Sequence, residues 1–212
     1  MIQSQAPEVL RNALARLRSQ SWERERWDPS RIQANREEAM RLYGMILSPD
    51  GAGAIDKATF VAFLHSENRW HRMGLGSIGL MTADMPRLRA ALTVLVDERQ
   101  PLSERLERVR PRGQAVMVHG LGPGIITVIL HFVDPNRYGI LSGSSERVLQ
   151  RLGLYPELPV AASLAVRFEA VNPILLGLAS SLGIGLGLLD SLWWRVPPPT
   201  APWVTLPPAV AR

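Results

Sequence analysis

A glycine-rich turn offers the clearest chemistry in this sequence. Gly120, Gly122 and Gly124 alternate with other residues in the stretch HGLGPGIIT, directly before an apolar run. Glycine permits a tight turn with exposed backbone, and Pro123 suits the first turn of a helix, where its missing N–H costs nothing. The first amides of such a helix have no internal partner, and with the helix dipole they form a seat for phosphate. The candidate amides belong to Gly122, Gly124, Ile125 and Ile126.

Basic residues exceed acidic ones by five, and all of them except Lys57 are arginines. Arginine can bridge two phosphate oxygens where lysine acts as a point charge, so this balance suits an anionic partner such as DNA. A solvated surface of arginine and glutamate explains the same composition equally well. The candidate DNA contacts besides the amides are Gly120, Thr127, Arg110, Arg112, Arg137, Arg147 and Arg151.

No metal site or cofactor is expected. The chain has no cysteine, which excludes disulfides, thiolate metal sites and cysteine-held iron–sulfur clusters, and its four histidines are not spaced as ligands. The stretch GLGSIG at 74–79 matches a dinucleotide fingerprint in letters, but no strand leads into it. The loop at 48–59 lacks the final carboxylate of a calcium site, because Thr59 stands there.

The elements that must position these residues are predicted to be helices, because no segment shows sustained period-2 alternation. Asp28, Asp84 and Ser103 are predicted to cap helices at their N-termini. The apolar stretch 167–194 is predicted to be a helix that breaks near Pro173. A further break is possible around Gly183. The other predicted helices lie in 6–44, 57–68, 84–98, 102–109, 125–133 and 145–152.

We expect one all-α domain over residues 1–195, with a helical N-terminal part at 1–98 and a hairpin half at 99–195. The proline-rich tail at 196–212 cannot be a regular helix. The nearly uncharged run at 173–189 contains four glycines and is better explained as a buried core helix than as a membrane span. The N-terminus lacks the apolar core of a signal peptide, so a cytoplasmic location without a membrane is expected.

Two segments at matching separation resemble the helix-hairpin-helix DNA glycosylase superfamily. Residues 120–130, GLGPGIITVIL, are similar to its hairpin and following helix, and residues 139–149, GILSGSSERVL, are similar to the segment that follows about twenty residues later in that family. The resemblance covers roughly 40 residues of the chain. It implies a multi-helix glycosylase-like fold that binds DNA at the hairpin. A base extruded into a cleft between the N-terminal helices and the hairpin half could then stack on Trp70 or Tyr138.

The chain departs from this family at its catalytic residues. Ser142 stands at the position of the family's catalytic aspartate, and Gly124 stands where bifunctional members have lysine. Cleavage of the glycosidic bond needs a carboxylate beside the cation-like sugar. The nearest acids, Asp134 at the far end of the hairpin helix and Glu146 on the next helix, do not occupy that position.

The leading interpretation is therefore a DNA-binding protein that recognises damaged or modified DNA through backbone phosphates. Two alternatives stay open. One is an active DNA glycosylase, in base excision repair or anti-phage defence, that uses a different residue. The other is a non-enzymatic interaction module of a restriction or defence system, which would bind a protein partner through residues 173–194 or through the proline-rich tail.

Overall fold

The computed structural model describes residues 2–19, 28–71, 77–111, 113 and 115–196. Within these residues the chain forms ten helices and no strand, which confirms the all-α class. In chain order they are α1 (Ile2–Ser19), α2 (Pro29–Tyr43), α3 (Lys57–His71), α4 (Ile78–Met81), α5 (Met85–Val96), α6 (Leu102–Val109), α7 (Pro123–Val133), α8 (Gly143–Arg151), α9 (Leu164–Leu182) and α10 (Leu186–Leu192).

Two of the predicted N-caps are confirmed. The side chain of Asp28 accepts a hydrogen bond from the Arg31 amide at 3.1 Å, and that of Asp84 accepts one from the Arg87 amide at 3.0 Å. In both helices a proline follows within the first two positions, where no donor is lost. Local sequence therefore determines where α2 and α5 begin.

The predicted cap of α6 is wrong. The N-cap is Pro101, which makes no side-chain hydrogen bond, and Ser103 lies inside the first turn. The Arg105 amide already donates to the Pro101 carbonyl at 3.1 Å. Because the proline ring fixes φ at a value compatible with helix entry, the helix begins before the serine can cap it.

The long apolar stretch breaks at Gly183 and not at Pro173. Helix α9 continues through Pro173, which lies on its exposed face, where water can satisfy the carbonyl left without a donor. Gly183 adopts a left-handed conformation with φ +63°, and α10 leaves at 93° to α9. Among the described residues, no single helix is long and apolar enough to cross a bilayer. Helices α9 and α10 reach that length and composition only when they are counted as one bent pair.

The buried apolar residues form one cluster that extends from Leu10 to Trp193. Helix α10 lies at its centre, with all seven residues buried against α1, α2, α3 and α9. Helix α9 also packs on α6, and α5 packs on both α6 and α7. The body of α7 from Ile125 to Phe132 is buried throughout, so this helix reaches the surface mainly at its two ends.

Candidate nucleic-acid interface

The glycine-rich turn forms the entry to α7, as its sequence predicts. Residues 110–122 connect α6 to α7, and Gly122 is the N-cap with φ −82° and ψ 170°. Pro123 occupies the first turn of the helix. Gly120 has φ +84°, a left-handed conformation that favours glycine. A Cβ atom at this position would lie 2.9 Å from the Cβ of Ser77, so Gly120 serves both the turn and its packing against α4.

Two of the four candidate amides are open and two are not. Within the described chain, the N–H groups of Gly124 and Ile125 have no acceptor. The Gly122 amide donates to the Gly120 carbonyl at 2.9 Å, and the Ile126 amide donates to the Gly122 carbonyl at 3.0 Å. The expectation that all four amides bind phosphate is therefore corrected to a seat of two, because the turn and the first helical hydrogen bond use the others.

The seat is open on the side of its glycines, while the Ile125 side chain is 8% exposed. Gly122, Pro123 and Gly124 are half-buried, and an added Cβ at either glycine would meet nothing within 4 Å. The first turn of α7 carries no acidic residue. The partial positive charge of the helix N-terminus is consequently not neutralised by a side chain of that turn.

Thr127 forms hydrogen bonds in the interior of the protein and does not reach the surface. Its side chain is fully buried. The Thr127 hydroxyl accepts a hydrogen bond from the Leu141 amide at 3.0 Å and donates toward the Pro123 carbonyl at 3.0 Å. It thus joins α7 to the chain just before α8, so the two segments that carry the family resemblance lie side by side. Its predicted role in touching DNA is wrong, because no solvent reaches it.

Ser142 acts as a helix cap. Its hydroxyl accepts a hydrogen bond from the Ser145 amide at 3.2 Å, and its own amide donates to the Ser145 hydroxyl at 2.8 Å. This reciprocal pair is a capping box at the start of α8. The position that the sequence resemblance aligns with a catalytic aspartate is thus occupied by a neutral side chain that stabilises the helix terminus.

The two nearby acids are also engaged elsewhere. Asp134 is the C-cap of α7, and its carboxylate accepts a hydrogen bond from the Asn136 amide at 3.0 Å. Glu146 accepts a hydrogen bond from the Tyr155 hydroxyl at 2.9 Å and pairs with Arg167 at 3.6 Å. Burial, reinforced by this hydrogen bond to Glu146, raises the pKa of Tyr155.

The candidate arginines do not form one group. Arg147 is exposed on α8 and donates to the Ser144 hydroxyl at 3.2 Å, while Arg110 and Arg151 are half-buried. Arg137 follows the C-terminal end of α7 and pairs with Glu98 at 3.0 Å. The length of the helix, about 16 Å, separates Arg137 from the amide seat, and its contact with a DNA backbone stays a prediction. Arg112 lies outside the described residues.

Tyr138 cannot stack on a base. Its ring is 1% exposed and packs against Phe168, and its hydroxyl donates to Glu98 at 3.0 Å and accepts from Arg105 at 3.0 Å. Burial raises the pKa of Tyr138. The residue completes the core behind α7, so its predicted role is corrected. Trp70 belongs to the last turn of α3, and its side chain lies outside the described part.

Sequence reasoning missed Arg105, which is buried at 1% exposure. Its guanidinium donates to the Leu95 carbonyl at 2.6 Å and to the Tyr138 hydroxyl, tying α5 and α6 to the turn after α7. The spacing carried a signal: Arg105 follows Leu102 by three residues and precedes Val109 by four, which places it on the apolar face of α6.

Among the described residues, two clefts lie between the N-terminal helices and the hairpin half, and both are away from the seat. The first cleft, about 670 Å³, lies among the ends of α2, α5 and α7. The second, about 350 Å³, lies between α2, the turn after α7 and the start of α10. Neither is lined by Ser142 or by any residue of the glycine-rich turn. Both open at the C-terminal end of α7, opposite the amide seat.

The partner surface expected at residues 173–194 is mostly interior. Residues Leu186 to Trp193 are buried, whereas Pro173, Gly177 and Ser180 on α9 are exposed. The proline-rich tail from residue 197 onward lies outside the described residues. A partner at this segment would therefore meet small and polar positions of α9 and not the apolar residues of α10.

The part of the chain that the structure describes contains no group of three histidine or acidic side chains placed to hold a metal ion. Searches of protein-family models, of curated proteins and of solved structures gave no match to this chain. The site is therefore interpreted from its own geometry.

Proposed function

We propose that this chain is a DNA-binding protein that seats a backbone phosphate on the N-terminal turn of α7. The observation that carries the proposal is the pair of open amides, Gly124 and Ile125, at a helix terminus with no acidic residue and free space around both glycines. Two convergent N–H donors and the positive end of the dipole match a phosphate oxygen.

The charge around this segment supports the proposal. Residues 99–154, which include the turn, α7 and α8, hold eight arginines and four acidic residues. With Asp97 and Glu98, which pair with Arg99 and Arg137, the stretch 97–154 holds eight arginines and six acidic residues and keeps a net charge of +2. Such charge attracts a polyanion without reading its sequence, and binding should weaken steeply as salt displaces it.

We further propose that the binding is not catalytic. The hydroxyl of Ser142 belongs to a helix cap, and no carboxylate lies at that position. The two clefts described above open at the other end of α7. The arrangement favours recognition of a damaged or modified duplex through its backbone over cleavage of a glycosidic bond.

The test is fluorescence anisotropy with a labelled duplex of about two helical turns, at several salt concentrations. The variant is Gly124→Asp, because aspartate in the first turn suits the helix dipole and should leave the fold intact while filling the seat with negative charge. The matched control is Gly177→Asp, which adds the same charge at an exposed position of α9 where an added Cβ meets nothing within 4 Å.

We expect Gly124→Asp to weaken DNA binding by about tenfold or more and to reduce the salt dependence, while Gly177→Asp has little effect. Equal losses in the two variants would refute the amide seat, because only the total charge would then matter. Abasic sites formed in lesion-bearing DNA by the unmodified protein would refute the non-catalytic assignment.

A further inference from the structure

Helix α8 starts beside the first turn of α7. The Leu141 amide, two residues before α8 begins, donates to the Thr127 hydroxyl at 3.0 Å. The same hydroxyl lies 3.0 Å from the carbonyl of Pro123, which belongs to the first turn of α7. Because Thr127 is fully buried, this contact is a fixed part of the fold. The N-terminal end of α8 therefore lies close to the amide seat.

Two arginines lie on one side of α8. Arg147 is exposed, and Arg151 is half-buried. Four residues separate them, so their backbone positions are about 6 Å apart along the helix axis and their side chains are neighbours. Neither arginine forms an ion pair with a carboxylate among the described residues. The two positive charges on this side of the helix are therefore not neutralised by the fold.

The two guanidinium groups make few hydrogen bonds inside the protein. Arg147 donates to the Ser144 hydroxyl at 3.2 Å, which turns its guanidinium back toward the first turn of α8. The Nε atom of Arg151 is buried and has no acceptor in the described part of the chain. Like charges four residues apart destabilise a helix, and an anion bound between them removes this repulsion. The pair is therefore suited to bind an external anion.

Glu146, the acidic residue next to this pair in the chain, is engaged elsewhere. Its carboxylate accepts a hydrogen bond from the Tyr155 hydroxyl at 2.9 Å and pairs with Arg167 at 3.6 Å. A residue of α9 thus compensates the charge of Glu146, and the charges of Arg147 and Arg151 remain available.

We propose that Arg147 and Arg151 form a second phosphate subsite, at which the DNA strand held by the amide seat continues along α8. This inference rests on the proposed function and extends it from one seated phosphate to a path along the strand. A strand carries one phosphate about every 3.4 Å of duplex axis, so arginines about 6 Å apart reach two different phosphates. Each guanidinium can bind two oxygens of a phosphate. The subsite adds affinity without selecting a base sequence.

The test measures the affinity for the labelled duplex over a salt series in Arg147→Gln, Arg151→Gln and the double variant. The matched control is Arg31→Gln, which removes the same charge from an exposed arginine of α2 that has no acidic partner in the described chain. A double lysine variant at 147 and 151 keeps the charge but loses the paired N–H donors. Thermal unfolding checks that each variant keeps the fold.

We expect each glutamine variant to weaken binding by about fivefold at the lowest salt and to reduce the slope of log K against log salt by about 0.9. The double variant should reduce the slope by about twice as much. The double lysine variant should keep the slope and lose only part of the affinity, and Arg31→Gln should leave both nearly unchanged. Equal changes in Arg31→Gln and in the α8 variants would overturn the subsite.

The subsite and the amide seat can fail separately. Weakened binding in Gly124→Asp with no change in the α8 variants would refute the subsite and leave the proposed function standing. Weakened binding in the α8 variants with no change in Gly124→Asp would refute the shared strand path, because the seat would then hold no phosphate. Absence of DNA binding by the unmodified chain would refute the proposed function itself, and the subsite with it.

Discussion

The two ends of α7 are built from opposite chemistry around the same buried helix. At the N-terminal end, glycines leave the backbone open and two amides remain without acceptors in the described chain. At the C-terminal end, the helix joins the ends of α2 and α5 around a cleft rimmed by carboxylates. The apolar body between them is inaccessible. The contrast teaches that a core helix with no polar surface of its own can still present two ends of different polarity.

Side chains near the two ends of α7 modify the electrostatic potential that the helix dipole creates there. The dipole alone gives each end about half an elementary charge, and salt screens it within the first or last turn. The absence of acids in the first turn preserves the positive end, whereas Asp97 and Glu98 near the negative end are paired with Arg99 and Arg137.

Removing Arg105 should damage the C-terminal end most. Its buried guanidinium bonds the Leu95 carbonyl and the Tyr138 hydroxyl, and Arg105→Ala leaves both without this partner and opens a cavity. We expect a loss of about 3–5 kcal/mol in the free energy of unfolding, measured by chemical denaturation. Arg108→Ala, on the exposed side of the same helix, is the control, and a similar loss there would contradict this account.

Replacing glycine by alanine should change the unfolding free energy differently at the two glycines of the N-terminal end, because Gly120 is packed and Gly124 is open. Gly120→Ala forces a side chain into a left-handed conformation and against Ser77, so we expect a loss of about 1–3 kcal/mol. Gly124→Ala meets nothing within 4 Å and should change the stability little. Denaturant titrations of the two variants make the comparison. Equal losses would show that Gly124 is constrained by packing and not left open for a ligand.

Lowering the pH should remove the stability that Asp97 contributes near the C-terminal end of α7. Hydrogen bonds from Arg99 and Gln100 lower the pKa of Asp97 from 3.8 to about 2. A carboxyl group whose pKa is lower in the folded state adds stability above its unfolded pKa and loses it as the pH falls through the folded value. We therefore expect a small loss of stability from about pH 4 to pH 2, and a shallower one in Asp97→Asn. Parallel pH profiles of the two proteins would exclude this contribution.

The smallest effect is expected for Ser142→Asp. Aspartate and serine cap helices about equally well, so the unfolding free energy should stay within about 0.5 kcal/mol. The variant places a carboxylate at the position that the sequence resemblance aligns with a catalytic aspartate. We expect no abasic sites in lesion-bearing or hypermodified DNA incubated with it. Their appearance would show that the N-terminal end of α7 belongs to a catalytic site that lacks only this group.

Sequence patterns predicted the elements whose signals are local. Aspartates before prolines placed the starts of α2 and α5, and the glycine–proline turn placed the start of α7, because caps depend on residues only two or three positions apart. The same reasoning failed at Ser103, where Pro101 starts the helix first. It also misjudged Pro173, since exposure on one face of α9 decides whether a proline is tolerated.

The candidate site was predicted only in part. The glycines indicated open amides, yet which amides stay open depends on the hydrogen bonds of Gly122 and Ile126 within the turn. Tyr138, Thr127 and Arg137 were placed on the interface because their types suit DNA. Their actual positions depend on contacts with residues distant in sequence, such as Glu98 and Leu141, that no local pattern encodes.

The sequence by itself determined the helical class, the starts of α2, α3 and α5 and the glycine turn that leaves amides unpaired, because each of these depends on backbone preferences within one turn of the chain. The tertiary structure alone decided which polar residues face solvent and which lie in the core. It also brought the ends of α2, α5 and α7 around one cleft. The physical reason is that burial and electrostatic potential are sums over neighbours, and those neighbours come from segments far apart in the chain.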